Sequence, residues 1–492
     1  MTTRLAQSAH PVIYEINTWP WLHELGRRDG STIDLGTVPD ATWDELAALG
    51  IDAVWLMGVW RRSPAGIAIA LTDPDLTASF DAALPGWAAE DVVGSPYCVR
   101  DYVVDDRLGG PAGLAAARAA LAARGVGLIL DFVPNHVAPD HPWTTQHPER
   151  FVTGTETDLA ADPKSFLRVG DTVLANGRDP YFPAWPDVVQ LNAFEPRLRA
   201  AAIDTLNDIA EQCDGVRCDM AMLMMNDVVT RTWGDRVGPV PDADYWPTVI
   251  PAVRVAHPAF RFLAEAYWDL EWALQQQGFD FCYDKRLYDR LEHGPAAQVN
   301  GHLSGDVGYQ QRLVRFVENH DEPRAATAFA GRAPVTAVAA LTQTGARLIH
   351  DGQLQGRRTR LPVFLGRFPD EPVDPAVAGF YRAFLPVLAD ATFHQGRWQL
   401  AERSGWSGSG FDNLAAWCWD GDTRWLVVVN LSGGPVTGQV RVPFDDLHGH
   451  TWRLVDPTND VVYDRHGHDL VDGLFVRLGG WDWHLLRIEH AG

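Results

Sequence analysis

Short apolar runs alternate with helix-spaced stretches along roughly the first 390 residues. Residues 12–16, 53–57, 127–133, 215–218, 260–264, 279–282, 313–317 and 347–349 are apolar enough to be buried strands. Residues 42–49, 111–124 and 196–213 place their apolar side chains at helical intervals between those runs. Eight strands divided by helices predict βαβ units and a parallel sheet, most economically closed into an α/β, (β/α)8 TIM barrel.

Two stretches break the alternation. Residues 137–192 are rich in Pro, Asp and Gly and too long for one crossover helix, so they read as a subdomain inserted after strand 3, over the barrel mouth. From about residue 395 the runs become short, β-branched and aromatic, at 415–419, 424–430, 438–442 and 481–488. That pattern predicts a C-terminal antiparallel β-sandwich. The expected division is a catalytic barrel over 1–136 and 193–390, an inserted subdomain over 137–192 and the β-sandwich over 391–492. The length, 492 residues, suits two or three domains.

Composition narrows the partners. With 41 basic and 64 acidic residues the net charge is -23, which argues against nucleic acid and anionic membrane as partners. The N-terminus lacks the apolar segment of a secretory signal, and no apolar run is long enough to span a bilayer, so the expected compartment is the cytoplasm. Cys98, Cys213, Cys218, Cys282 and Cys418 are scattered without metal-ligand spacing and read as free thiols. Tryptophan is abundant, at 20 residues, and aromatic faces pack well on sugar rings. Trp19, Trp21, Trp87 and Trp185, in loop-like stretches, are candidate platforms.

In TIM barrels the chemistry sits at the C-terminal ends of the strands. Strand 3 closes on Asp131, Asn135 and His136, strand 4 on Arg217 and Asp219, strand 5 on Glu265, and strand 7 on His320 and Asp321. Carboxylates, an arginine and histidines at one mouth suit glycoside hydrolysis, in which one carboxylate attacks the anomeric carbon and another group protonates the leaving oxygen. Arg217 and Asp219 are two apart in a strand and share a face, so the arginine keeps that carboxylate ionised as a nucleophile. Glu265 ends an apolar run, where desolvation raises its pKa toward that of a general acid/base.

The segments DFVPNH, GVRCDMA, FLAEA and FVENHD, in this order, resemble the four motifs of the α-amylase superfamily, glycoside hydrolase family 13. DVVQLN at 187–192 resembles a fifth motif, and SPYCVRDY at 95–102 resembles the segment that supplies a stacking tyrosine. The resemblance spans about residues 12–355. It implies a retaining α-glycosidase acting on α-glucosidic bonds of oligosaccharides or α-glucans through a covalent glycosyl-enzyme intermediate. It further implies that Asp219 is nucleophile, Glu265 acid/base, and Asp321 the grip on ring hydroxyls. Tyr97 would stack on the sugar, His136 and His320 would bond its hydroxyls, Arg217 would position Asp219, and Asp131 would support Arg217. No cofactor is required; family members often bind calcium through an Asn at the position of Asn135, with Asp158, Asp162, Asp171, Asp179 and Asp187 as further donors. Glucosyl or glucanosyl transfer and sugar isomerisation through the same intermediate are the alternatives, and a non-catalytic binding protein is a third.

Three departures bear on substrate. Where many amylases carry Lys-His after the nucleophile, this chain has Met222 and Leu223, which predicts an apolar leaving-group side. Gly94 stands where exo-acting members often have an Asp. The Arg-rich stretch 350–372 is expected to pack against the β-sandwich rather than line the mouth.

Overall fold

A computed structural model describes residues 3–491. Eight parallel strands close into a barrel: β1 (Val12–Asn17), β2 (Ala53–Met57), β3 (Gly127–Phe132), β4 (Gly215–Cys218), β5 (Arg261–Ala264), β6 (Phe281–Tyr283), β7 (Leu313–Arg315) and β8 (Ala346–His350). Each strand pairs with its neighbours in sequence, and β8 pairs with β1. Every barrel residue except Arg261 is buried, which is why the strands read as continuous apolar runs rather than alternating ones. The helices around them follow local signals. Helix Pro196–Ala210 begins with proline in its first turn, is capped by the Glu195 carboxylate, and buries Leu198, Ala202, Leu206 and Ile209 along one stripe.

Two excursions rise above the mouth. The first, expected from composition, lies between β3 and β4. It contains the hairpin Phe166–Val169/Thr172–Ala175 and the pairing of His136–Val137 with Val189–Gln190. The second, between β2 and the helix Gly110–Ala123, was not foreseen. Here Trp60–Arg62 pairs with Val99–Val104, enclosing the helices Pro64–Ala70 and Pro74–Ala83. Its apolar residues are numerous but follow no steady helix or strand period, so nothing local separated it from a long loop.

The C-terminal part forms a six-stranded and a three-stranded antiparallel sheet. Alternation along Leu414–Asp420 and Arg424–Asn430 sends the two faces to different cores. Leu414, Ala416, Cys418, Leu426 and Val428 meet the smaller sheet, while Trp417, Trp419, Trp425, Val427 and Val429 join the barrel core. The indoles of Trp417 and Trp419 both donate to the Thr342 carbonyl, at 3.1 and 2.8 Å, so both also satisfy their polar atoms against the barrel. All five cysteines are free and buried. Among the described residues no helix is long and apolar enough to cross a membrane.

Candidate active site

Arg217 is the fixed point of the site. It stands on β4 with no solvent exposure. One terminal nitrogen lies 2.6 Å from Asp219 Oδ1 and the other 2.8 Å from Glu265 Oε2, with Asp321 Oδ2 4.0 Å from the latter nitrogen. Three strand ends, β4, β5 and β7, are thereby tied to one guanidinium, whose planar fork suits two carboxylates at once. The Met220 N–H donates to the same Glu265 Oε2 at 2.6 Å. Oε2 is therefore occupied from two sides, and Oε1 is the oxygen left free to hold a proton. Met220 adopts a left-handed backbone, φ 43°, immediately after Asp219. Such strain in a non-glycine residue persists only where the surroundings hold it.

The electrostatics set the three carboxyls apart. Burial pushes Glu265 up to about 7, against the pull of Arg217 and with the help of the charges on Asp219 and Asp321. Burial raises Asp219 as well, and its ion pair and hydrogen bond with Arg217 act in the opposite direction. Asp321 experiences the same burial, but the charge and hydrogen bond of His320 overcome it and hold Asp321 down at about 2. His320 is raised to about 10, burial being outweighed by Asp321 and Glu15. It lies between them, Nε2 2.9 Å from Asp321 and Nδ1 in contact with Glu15, and so is a cation at neutral pH. The turn beneath Asp321 is set by Asn319, whose Oδ1 accepts from the N–H groups of Asp321 and Glu322, both at 2.9 Å.

These side chains open into a cavity of about 330 Å³ lined by Tyr97, His136, Trp185, Asp219, Glu265 and Asp321, among others. Tyr97 lies over the Arg217 guanidinium, 5.0 Å from ring centroid to carbon, and its hydroxyl meets His320 Nε2. His136 is held neutral, its pKa lowered to about 4 by burial, with the ring 5.2 Å from that of Trp185. Asp131 acts one step removed. It is the register neighbour of Arg217, but its carboxylate accepts from the Trp55 indole at 3.1 Å and the Gly58 N–H at 2.7 Å.

Several expectations are overturned. Met222 and Leu223 are buried, 0% and 4% exposed, in the short turn Ala221–Met224 packed into the barrel core, so neither faces a leaving group. Met220 takes the place on the cavity wall. The stretch 350–372 lines the mouth: Phe364 reaches the cavity, and the Arg360 guanidinium donates to the Asp321 carbonyl at 2.7 Å. Of the four tryptophans, only Trp185 lines the cavity. Trp21 packs on Trp43, Trp19 lies under Arg107, and Trp87 packs on Phe80. The residues at Asn135 do not fit calcium. Its amide is spent on Gln190, accepting at 2.8 Å and donating at 3.3 Å. Asp158 pairs with Arg236, Asp179 caps the turn at Tyr181, and Asp162 and Asp171 are exposed. Among the described residues no group of three or more His, Cys, Asp or Glu is placed to hold a metal. Glu15, Tyr267 and Phe364 belong to the site and were missed; a lone glutamate inside the apolar run VIYEIN was the one available signal for Glu15.

No family model matches the chain. It is 25% identical over 358 residues to the α-amylase MalA of Haloarcula japonica, covering 71% of this chain and 44% of that protein. The likeness to an α-amylase thus extends over most of this chain. The chain spans less than half the length of that curated relative. Two solved structures share the fold along nearly the whole chain. The maltogenic α-amylase AmyB of Thermotoga neapolitana aligns over 98% of this chain and 99% of its own, with a TM-score of 0.66 at 19% identity. The α-amylase of Geobacillus thermoleovorans, crystallised with acarbose, aligns over 100% of both, with a TM-score of 0.67 at 17% identity.

Glu265 at about 7 leads to a pH prediction. Its proton is present below that value and lost above it, so kcat/KM on an alkyl or sugar leaving group should fall on the alkaline side with an apparent pKa near 7. With α-glucosyl fluoride, whose leaving group needs little protonation, the alkaline limb should flatten. A pH–rate profile on both substrates checks this; equal limbs would remove Glu265 from the acid role.

Proposed function

We propose that this chain is a retaining α-glycosidase that cleaves α-glucosidic bonds of oligosaccharides or α-glucans. The observation that carries this reading is the pair Asp219 and Glu265 held on the two terminal nitrogens of one buried guanidinium. Sharing one guanidinium keeps the two carboxylates close together, as the roughly 5–5.5 Å separation of retaining enzymes requires.

In the first step an Asp219 oxygen attacks the anomeric carbon as the bond from that carbon to the glycosidic oxygen breaks. Glu265 gives its proton to the departing oxygen. Asp321, ionised and exposed to the cavity, accepts hydrogen bonds from ring hydroxyls, and cationic His320 holds it ionised and in place. In the second step Glu265, now a carboxylate, takes a proton from water as that water attacks the same carbon and releases Asp219. Arg217 keeps Asp219 charged before attack and stabilises it on release.

The substrate is a carbohydrate on this reading, in keeping with the acarbose held by the Geobacillus structure. A case for transfer over hydrolysis would need apolar Met222 and Leu223 near the intermediate, and their burial removes that support. Proton NMR of the first product from an α-glucoside tests the proposal: the α-anomer is expected, and an initial β-anomer would overturn retention. A panel of maltooligosaccharides, sucrose, trehalose and aryl α-glucosides identifies the linkage.

A further inference from the structure

Two segments meet beside the cavity and wall one side of it. After β8, residues 361–368 run against the excursion that follows β2. Val92 and Leu365 form an antiparallel bridge, with the Val93 N–H donating to the Phe364 carbonyl at 2.8 Å and the Gly366 N–H to the Asp91 carbonyl at 2.7 Å. The Arg367 guanidinium grips Asp91 through both carboxylate oxygens, at 2.6 and 3.0 Å. Behind the bridge Ala70, Phe80, Leu84, Val92, Leu361 and Leu365 form a separate apolar core. A Cβ on Gly366 would stand 2.7 Å from Val93, so the two segments touch as closely as backbone allows.

The position of this wall follows from strand order. In an eight-strand barrel β5, which carries Glu265, faces β1 across the mouth, and β8 and β2 flank β1. The wall therefore spans the side opposite the acid/base, continuous with Ser95 and Tyr97, where the sugar being transferred must lie. The leaving group departs past Glu265, where Tyr181 and Phe182 are 56% and 65% exposed and Trp268 stands edge-on to Tyr181.

One polar group beside the wall is unspent. Asp187 is 7% exposed and lines the cavity, and among the described residues no side chain bonds to its carboxylate. Its backbone is fixed by the Cys98 thiol, which donates to its carbonyl at 3.0 Å. Burial raises its pKa to about 6, and the charge of Asp73, on the wall's own excursion, adds to the rise. A buried carboxylate whose one donor is its own backbone N–H is costly unless a ligand supplies more. We propose that the site is a dead-end pocket admitting only the non-reducing end of an α-glucoside, with Asp187 accepting hydrogen bonds from hydroxyls of the terminal sugar. This rests on the glycosidase reading and adds exo action and a specificity-determining residue.

The test uses the wild-type chain and two aryl α-maltotriosides, one with a free terminal glucose and one with its 4- and 6-hydroxyls bridged by an ethylidene group, products being followed by chromatography. Cleavage of the blocked substrate at under about a hundredth of the free-end rate is expected. Comparable rates on both would overturn the dead end and leave the glycosidase reading standing; cleavage of neither would overturn both. Asp187→Asn should lower kcat/KM on the free-end substrate about ten- to a hundredfold, mostly through KM, with an unchanged melting midpoint. That loss should shrink on a substrate deoxygenated at the contacted hydroxyl, which a purely structural role would not produce. An equal loss on the deoxygenated substrate, or none on the free-end one, would remove Asp187 from the proposal.

Discussion

Asp219→Asn and Glu265→Gln should each lower kcat by on the order of 10³-fold or more while the chain stays folded, a loss of about 4 kcal/mol of transition-state stabilisation. Both substitutions preserve shape. In the first variant the new amide oxygen can still accept from Arg217, but it is no nucleophile, so the first step loses its covalent partner. In the second the new amide can still accept the Met220 N–H, which now lies 2.6 Å from the Glu265 carboxylate, but it holds no transferable proton. The two variants should separate by substrate. With α-glucosyl fluoride the Glu265→Gln variant should recover most of its first-step rate, because fluoride leaves without a proton, whereas Asp219→Asn should not. Turnover within tenfold of wild type for either variant, on a substrate with a poor leaving group, would sink the assignment of that residue.

Arg217→Lys is expected to cost about 10²-fold or more in kcat and to lower stability. Arg217 is wholly buried, and its two terminal nitrogens serve Asp219 and Glu265 separately. A single ammonium preserves charge but cannot span both carboxylates, so at least one is left buried and unpaired. Removing one partner of a buried ion pair costs about 3–5 kcal/mol, and retaining the charge recovers part of it. The pH profile gives an independent readout. Arg217 opposes the upward shift of Glu265, so Arg217→Met should move the alkaline limb above 7. Differential scanning calorimetry and a pH–rate profile check both parts. A Lys variant within tenfold of wild type, or an alkaline limb that moves down in the Met variant, would show that Arg217 is not the organising group.

Much of the site was legible because strand geometry is local. A period of two puts Arg217 and Asp219 on one face, and burial on both sides of a barrel strand leaves its polar end residues conspicuous against apolar runs. His320 and Asp321 stood out for the same reason. Glu15, which joins Asp321 in raising His320, sits 305 residues away in sequence, and only closure of β1 beside β8 brings it within reach.

The chain's own pattern determined the eight strands, the helices between them, the change to antiparallel strands near residue 400, and the strand-end carboxylates. Each of these is written in spacing that neighbouring residues share. Tertiary structure decided which surface buries an apolar residue and where an aperiodic segment goes. Met222 and Leu223 carry the same side chains whether they face a sugar or the barrel core, and the turn after Asp219 chose the core. The stretches 58–109 and 350–372 have little period to read, and their meeting at Val92 and Leu365 depends on the barrel bringing β8 and β2 to either side of β1. Periodicity records that a residue is buried; only the closed barrel determines against what.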